Sequence, residues 1–375
     1  MAGIYIHIPF CKQACNYCNF YFNTSLLYKG ELLQSIQKEL ILRKSFLENE
    51  IVETIYFGGG SPSLMEADDI QRIIDCVYKN YKTDTLKEVT IEANPDDLSE
   101  KKIIDFKHTD INRFSIGVQS FFDEDLLWMN RAHNAQQADR AIKTAQDKGF
   151  ENITIDLIYG TPTLSNANWA TNLNTAIHLK VPHISAYNLT VEEKTPLQKL
   201  IQQNKKENVN EATSAYQMQQ LMDTLCSHDF EHYEISNFAK AGRYAIHNTN
   251  YWKGVPYLGI GPSAHSYKNN LRCWNVANTQ KYMAGVDANK LEIEEEFLSK
   301  KNIFNEWIMT GLRTQWGINT EEAKLKYNHQ WIYELLLEAQ THIAIGNLSN
   351  KNNVLKITTN GKLIADKIMS DLFIA

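Results

Sequence analysis

Residues 5–18, YIHIPFCKQACNYC, run a short β-rich segment straight into three cysteines, Cys11, Cys15 and Cys18. The spacing C-x-x-x-C-x-x-C puts three soft thiolates on one short loop after a strand, and such ligands favour iron–sulfur clusters, zinc or Cu(I). A [4Fe-4S] cube ordinarily takes four protein cysteines. Three leave one iron open to an external ligand, which makes the site reactive. The bland alternative is a structural zinc completed by His7, but sites of that kind usually show a second ligand pair farther along, and none is obvious here.

The remaining cysteines, Cys76, Cys226 and Cys273, are scattered. This distribution argues for a ligand cluster in a reducing compartment and against a disulfide framework. Cys76 and Cys226 lie in helical patterns and read as small core residues. A formal net charge of −6 argues against broad electrostatic capture of nucleic acid. MAGIYIHIPFCKQ has no basic region followed by a long apolar one, and no window approaches the ~18 apolar residues of a membrane span. The expected location is the cytoplasm.

Outward from the cysteine loop, β-rich runs alternate with long helical patterns. TIYFG (54–58), EVTIEA (88–93), RFSIGV (113–118), NITIDLIYG (152–160) and HISAYNL (183–189) follow the first strand, separated by apolar-periodic segments such as DDIQRIIDCVYKNY. Six such units require a parallel sheet with helical crossovers, because parallel strands need a dozen or more connecting residues. Six are fewer than the eight of a closed barrel. An α/β fold with an open, partial (β/α)6 barrel is therefore expected, its ligands gathered at the C-terminal strand ends. Cys11, Gly58–Gly60, Glu92, Gln119 and Asp156 all fall late in, or just after, their strands. The polar stretch QQNKKENVNEA (202–212) ends this series. We expect a core over 1–230, an extension over 231–295 and a small, mainly helical, winged-helix-like domain over 296–375.

With these motifs in hand, the sequence resembles the radical S-adenosylmethionine (SAM) superfamily, whose open iron chelates the amino and carboxylate groups of SAM. Within it the likeness extends over nearly the whole chain to the oxygen-independent coproporphyrinogen oxidase-like group, and there to its heme-chaperone branch. The resemblance implies that Gly59, Gly60 and Ser61 of YFGGGSPS contact the methionine end of SAM. It implies further polar SAM contacts at Glu92 of IEANPDDL, Gln119 of SIGVQSF, Arg131 of MNRAH and Asp156 of TIDLIYGTP, and a cluster-side role for Tyr5. Each has a plainer reading from the residues alone: a tight βα turn for the glycines, a solvated strand end for Glu92, a surface ion pair for Arg131, strand packing for Tyr5. Asp156, between Ile155 and Leu157, needs a partner if buried.

Two features separate chaperone from dehydrogenase. The dehydrogenase carries a fourth cysteine two residues beyond the third, where this chain has Phe20. The stretch AIHNTNYWKG (245–254) contains H-N-x-x-Y-W as His247, Asn248, Tyr251 and Trp252, resembling the chaperone signature linked to heme binding. Imidazole ligates heme iron and aromatic faces pack on porphyrins, although the same residues would also suit a structural loop. His265 in GIGPSAHSY is a second candidate, with a turn-fixing role as its alternative. Cys273-Trp274 is open to facing the same cavity, and His133 and His183 read as structural.

The resemblance thus implies a protein that binds heme and passes it to acceptor apoproteins, respiratory cytochromes among them, with a [4Fe-4S] cluster and SAM assisting. The rivals are an anaerobic coproporphyrinogen III dehydrogenase or another radical SAM enzyme, and an RNA-binding protein prompted by the winged tail. From Lys300 onward, nine Lys or Arg stand against seven Asp or Glu, too even for a strong phosphate-attracting field, so no nucleic-acid partner is expected. Peripheral membrane contact without an anchor stays open, and the residues are silent on oligomeric state and SAM turnover.

Overall fold

The structure is a computed structural model that describes residues 1–374. Strands β1 (Ala2–Ile8), β2 (Val52–Gly59), β3 (Glu88–Ala93), β4 (Arg113–Gln119), β5 (Ile153–Tyr159) and β6 (His183–Asn188) are parallel and lie side by side in chain order. Between them run α1 (Lys29–Leu42), α2 (Ala67–Asn80), α3 (Glu100–Lys107), the pair α4 (Asp123–Trp128) and α5 (Ala135–Asp147), and α6 (Asn166–His178). Helix α2 shows why these segments are helical. Its Ile70, Ile73, Ile74 and Val77 recur at helical spacing and are all buried. Helix α5 starts at a capping box in which Asn134 and Gln137 satisfy each other's backbone donors.

The strands alternate. Ile55 and Phe57, Val89 and Ile91, Phe114 and Ile116, Ile155 and Leu157, and Ile184 and Ala186 are buried in one core with the helices. The intervening residues are Thr54 and Tyr56, Thr90 and Glu92, Arg113 and Ser115, Thr154 and Asp156, and His183 and Ser185, and successive strand residues point to opposite faces. Parallel strands packed on both sides by apolar layers would be continuously hydrophobic. Here the inner face is a polar lining instead. Its lower layer is a closed network: Arg113 Nε lies 3.7 Å from Glu88, Arg113 also bonds Thr154, Thr154 Oγ1 is 3.0 Å from His183 Nδ1, and His183 Nε2 is 2.7 Å from the Tyr233 hydroxyl.

The sheet stays open and is twelve strands wide. After α7 (Pro196–Gln202) and α8 (Glu211–Ser227), β7 (Glu231–Glu234) and β8 (Asn237–Ala239) extend it antiparallel beyond β6. Helix α9 (Ile246–Trp252) then leads to the other edge. There β9 (Tyr257–Ile260) joins β1 in parallel, and β10 (His265–Lys268), β11 (Leu271–Asn275) and, after α10 (Thr279–Asp287), β12 (Ile293–Phe297) add antiparallel strands. Residues 231–297 therefore complete both flanks of the sheet, and Phe238, Leu258, Ile260, Tyr282 and Val286 share its core. Cys226, expected in the core, is exposed on α8, whose buried stripe is Ser214, Gln217, Leu221, Met222 and Leu225.

The C-terminal region, α11 (Lys300–Leu312), β13 (Ile318–Asn319), α12 (Thr320–Lys324), α13 (His329–Ala344), β14 (Leu348–Lys351), β15 (Val354–Ile357) and α14 (Ala365–Asp371), has the helix-strand-helix-helix-hairpin order of a winged helix and a core of its own around Phe304, Ile308 and Leu355. It docks on β7: Ile235 N donates to Arg313 O (3.1 Å), Gln315 N to Tyr233 O (2.9 Å), and Arg313 Nη2 pairs with Glu234 at 2.8 Å. Among the described residues, no helix is long and apolar enough to cross a membrane.

Candidate functional site

A cavity of about 510 Å³ opens at the C-terminal ends of the parallel strands, lined by all three loop cysteines together with Gly59, Gly60, Ser61, Glu92, Gln119, Arg131, Asp156 and Asn248. The cysteine loop is clamped from the segment after α4. Asn16 Nδ2 donates to Trp128 O (3.1 Å), Asn16 N to Met129 O (3.2 Å), and Asn130 Nδ2 to Ala14 O (2.7 Å). Arg131 crosses to the loop, with Nη1 3.3 Å from Cys15 Sγ and Nη2 donating to Asn94 Oδ1 (2.6 Å) and Gly117 O (2.9 Å). Its buried Nε has no hydrogen-bond partner among the described residues, which leaves a donor for a bound carboxylate.

The glycines are required by geometry. Gly59 has φ of +110°, and a Cβ on Gly60 would sit 2.5 Å from the Phe10 carbonyl oxygen. That close approach lets Ser61 N donate to Phe10 O (2.6 Å) and ties the glycine turn to the cysteine loop. Asn94 Nδ2 donates to Ser61 Oγ at 2.6 Å. Gln119 has φ of +66° at a register shift in β4, a bulge of the kind that re-aims a side chain at a functional rim.

Burial raises the thiols of Cys11, to about 11, and Cys18, and the neighbouring cysteines add to both shifts. Iron would invert that balance, because a coordinating thiol is deprotonated outright. No group of three or more His, Cys, Asp or Glu among the described residues is gathered as a site for a single metal ion. The chemistry of three thiols on a clamped loop, facing two carboxylates and an arginine with a spare donor, fits a cluster holding an amino-acid ligand.

Burial also raises Glu92 to about 7 and Asp156 to about 6. Glu92 accepts from the Tyr56 hydroxyl (2.9 Å) and Gly59 N (3.0 Å), and Asp156 from Ser115 Oγ (3.2 Å). Because Glu92 holds its proton more tightly folded than unfolded, its contribution to stability is full below about 4.5 and is lost as pH rises through about 7. In urea titrations of the protein without SAM, wild type should lose stability relative to Glu92→Gln, which stays neutral throughout, as pH rises across that window; an identical pH slope in the two proteins would contradict this reading.

The sequence pattern of the radical SAM superfamily matches residues 5–175. Over 331 residues the chain is 34% identical to the heme chaperone HemW of Lactococcus lactis, covering 88% of this chain and 86% of that one. The chain belongs to the HemW family of radical SAM proteins. A HemW from Bacillus subtilis is 31% identical with 98% of each chain covered. The coproporphyrinogen III oxidase HemN of Escherichia coli superposes with a TM-score of 0.86 over 99% of this chain and 90% of its own, at 19% identity, a likeness of fold.

Seven of the eight positions expected around SAM and the cluster line this one cavity. Tyr5 does not. It lines a second cavity of about 380 Å³, its hydroxyl 3.2 Å from His7 Nδ1 and its ring stacked on Tyr56, so it reaches the first cavity only through Tyr56 and Glu92. Asn94, Tyr56 and Tyr17 were not singled out by sequence. Asn94 and Tyr56 belong to the motifs that carry Glu92 and Gly59, and Tyr17 lies inside the cysteine loop, half-buried beside Arg131 and Cys15.

The HemW-type signature divides among several places. Asn248 faces the first cavity and Tyr251 the second. Trp252 lines neither, and instead carries Arg313 over its ring at 4.9 Å, bracing the C-terminal region. His247 is 2% exposed and both ring nitrogens are engaged: Nδ1 with Thr54 Oγ1 and Nε2 with the Tyr251 hydroxyl, each at 2.8 Å. Glu88 accepts from its backbone N–H and that of Ile246, at 2.9 Å each. His247 thus plugs the base of the polar lining, and an iron could reach it only by breaking these bonds. His133 and His183 are buried on Val118 O and on Thr154 with Tyr233, as structural histidines.

Proposed function

We propose that this chain binds heme and delivers it to acceptor apoproteins, with a [4Fe-4S] cluster on Cys11, Cys15 and Cys18 and SAM in the first cavity. When bound, the cluster supplies an open iron for the amino and carboxylate groups of SAM and an electron for its cleavage. The chain's own residues do the rest. Gly59 and Gly60 admit the ligand close to the backbone, Arg131 meets its carboxylate, and Glu92 and Asp156 offer negative charge to its ammonium and ribose.

The observation that carries the chaperone reading is the kinship with relatives named heme chaperone HemW over most of the chain. Phe20 agrees with it, since 68% of that residue is exposed at the rim where the dehydrogenases resembled by this chain place a thiol. Heme-accepting respiratory cytochromes are the proposed acceptors. The enzyme alternative is tested by incubating reconstituted protein anaerobically with coproporphyrinogen III, SAM and a reductant. No protoporphyrinogen is expected above a Cys15→Ala control; its accumulation over many turnovers would make the chain a dehydrogenase.

A further inference from the structure

The second cavity lies beside the cysteine loop and is walled by aromatic rings: Tyr5, Phe20, Tyr21, Tyr251 and Tyr257, with His7, Asn19, Ser263 and His265. Its size falls within the ~300–1,000 Å³ common for small-molecule sites. Asn19 and Phe20 line both cavities and partition them. Such a wall of ring faces and edges suits a flat aromatic ligand, and the two histidines decide what kind.

His7 has both ring nitrogens occupied, by Tyr5 and by the Tyr21 carbonyl (3.0 Å). His265 is different. It is exposed, and its ring makes a stacked contact with Trp274 (5.5 Å, 24°), while neither nitrogen forms a hydrogen bond in the described protein. Strand pairing explains its direction. In the β10–β11 hairpin His265 pairs with Trp274 and Ser266 with Cys273. Ser266 and Cys273 face inward to Arg43, at 3.3 Å each, so alternation sends His265 and Trp274 to the opposite face. Arg272, on that same face of β11, pairs with Glu306 at 3.0 Å and does not line the cavity.

We propose that the second cavity is the heme seat, that His265 is the protein ligand to the heme iron, and that His247 is a positioning residue which sets Tyr251 in the cavity wall through its 2.8 Å bond. This rests on the heme-chaperone reading. Imidazole is a common protein ligand of heme iron, and Trp274 holds the ring against rotation. Exposed Phe20 and His265 at the rim leave an edge of the porphyrin in solvent, where an acceptor can take it.

The test is hemin titration of the full-length chain, followed by the Soret band and by electron paramagnetic resonance of the ferric iron, for wild type, His265→Ala, His247→Gln and Phe20→Ala. His265→Ala should move the Soret band, weaken hemin binding by about tenfold or more, and regain the wild-type spectrum when imidazole is added. His247→Gln should keep the wild-type ligand spectrum, and Phe20→Ala should weaken binding without moving the band. Because His265 is exposed and bonds nothing, its alanine variant should melt with wild type, so a lost spectrum reports the ligand. Binding by wild type with an unchanged spectrum in His265→Ala, or loss of the ligand signature in His247→Gln alone, overturns this assignment and leaves the chaperone reading standing. No hemin binding by wild type overturns both.

Discussion

Cys15→Ala should leave the protein unable to retain iron and sulfide after anaerobic reconstitution, and should weaken SAM binding by more than the ~10–100-fold typical of losing an outer-shell partner. The reason is geometric. Cys15 is the thiol that Arg131 approaches at 3.3 Å, so its removal takes away a ligand and leaves a buried guanidinium facing a void. Arg131→Ala should retain iron yet lose SAM affinity within that 10–100-fold range. Iron analysis and equilibrium binding of labelled SAM separate the two effects; full iron retention by Cys15→Ala would remove that cysteine from the ligand set.

Arg113→Ala should be the most destabilising single change outside the apolar core. Arg113 and Glu88 are each 1% exposed and 3.7 Å apart, and removing one partner of a buried ion pair costs about 3–5 kcal/mol. Glu88 would remain buried, still capping α9 through Ile246 and His247, and the chain running through Thr154, His183 and Tyr233 would open at its first link. Urea unfolding should show a lower midpoint. A midpoint within error of wild type would mean that water replaces the guanidinium without cost.

The sequence carries the fold and the first cavity well because both are local signals. Each βα unit announces itself within a few residues, and in a parallel sheet every functional strand end lies on the same rim, so Cys11, Gly59, Glu92, Gln119 and Asp156 converge once the units are counted. Asn94 and Tyr56 escaped because a motif does not say which of its members will face the ligand. The edge strands β9–β12 were illegible for a different reason. They are short, one reads IEEEF with four of its five residues exposed, and β9 pairs with a strand some 250 positions earlier.

His247 shows the limit most clearly. A histidine beside Asn, Tyr and Trp looks like an iron ligand, but its partners Thr54 and Glu88 come from strands about 190 and 160 residues away. No local pattern reveals that contact. His265, by contrast, sits in a Gly-Pro context that suggests a turn, yet the hairpin register turns it toward the aromatic cavity.

Heme delivery is the proposed activity of this chain. The direct measurement mixes heme-loaded, cluster-reconstituted protein with a heme-depleted respiratory cytochrome and follows the acceptor's own absorbance after the two are separated. Heme should move to the acceptor faster than it leaves the chain for a non-specific heme scavenger at the same concentration. Transfer no faster than that passive loss, or heme that stays with the chain, would contradict it.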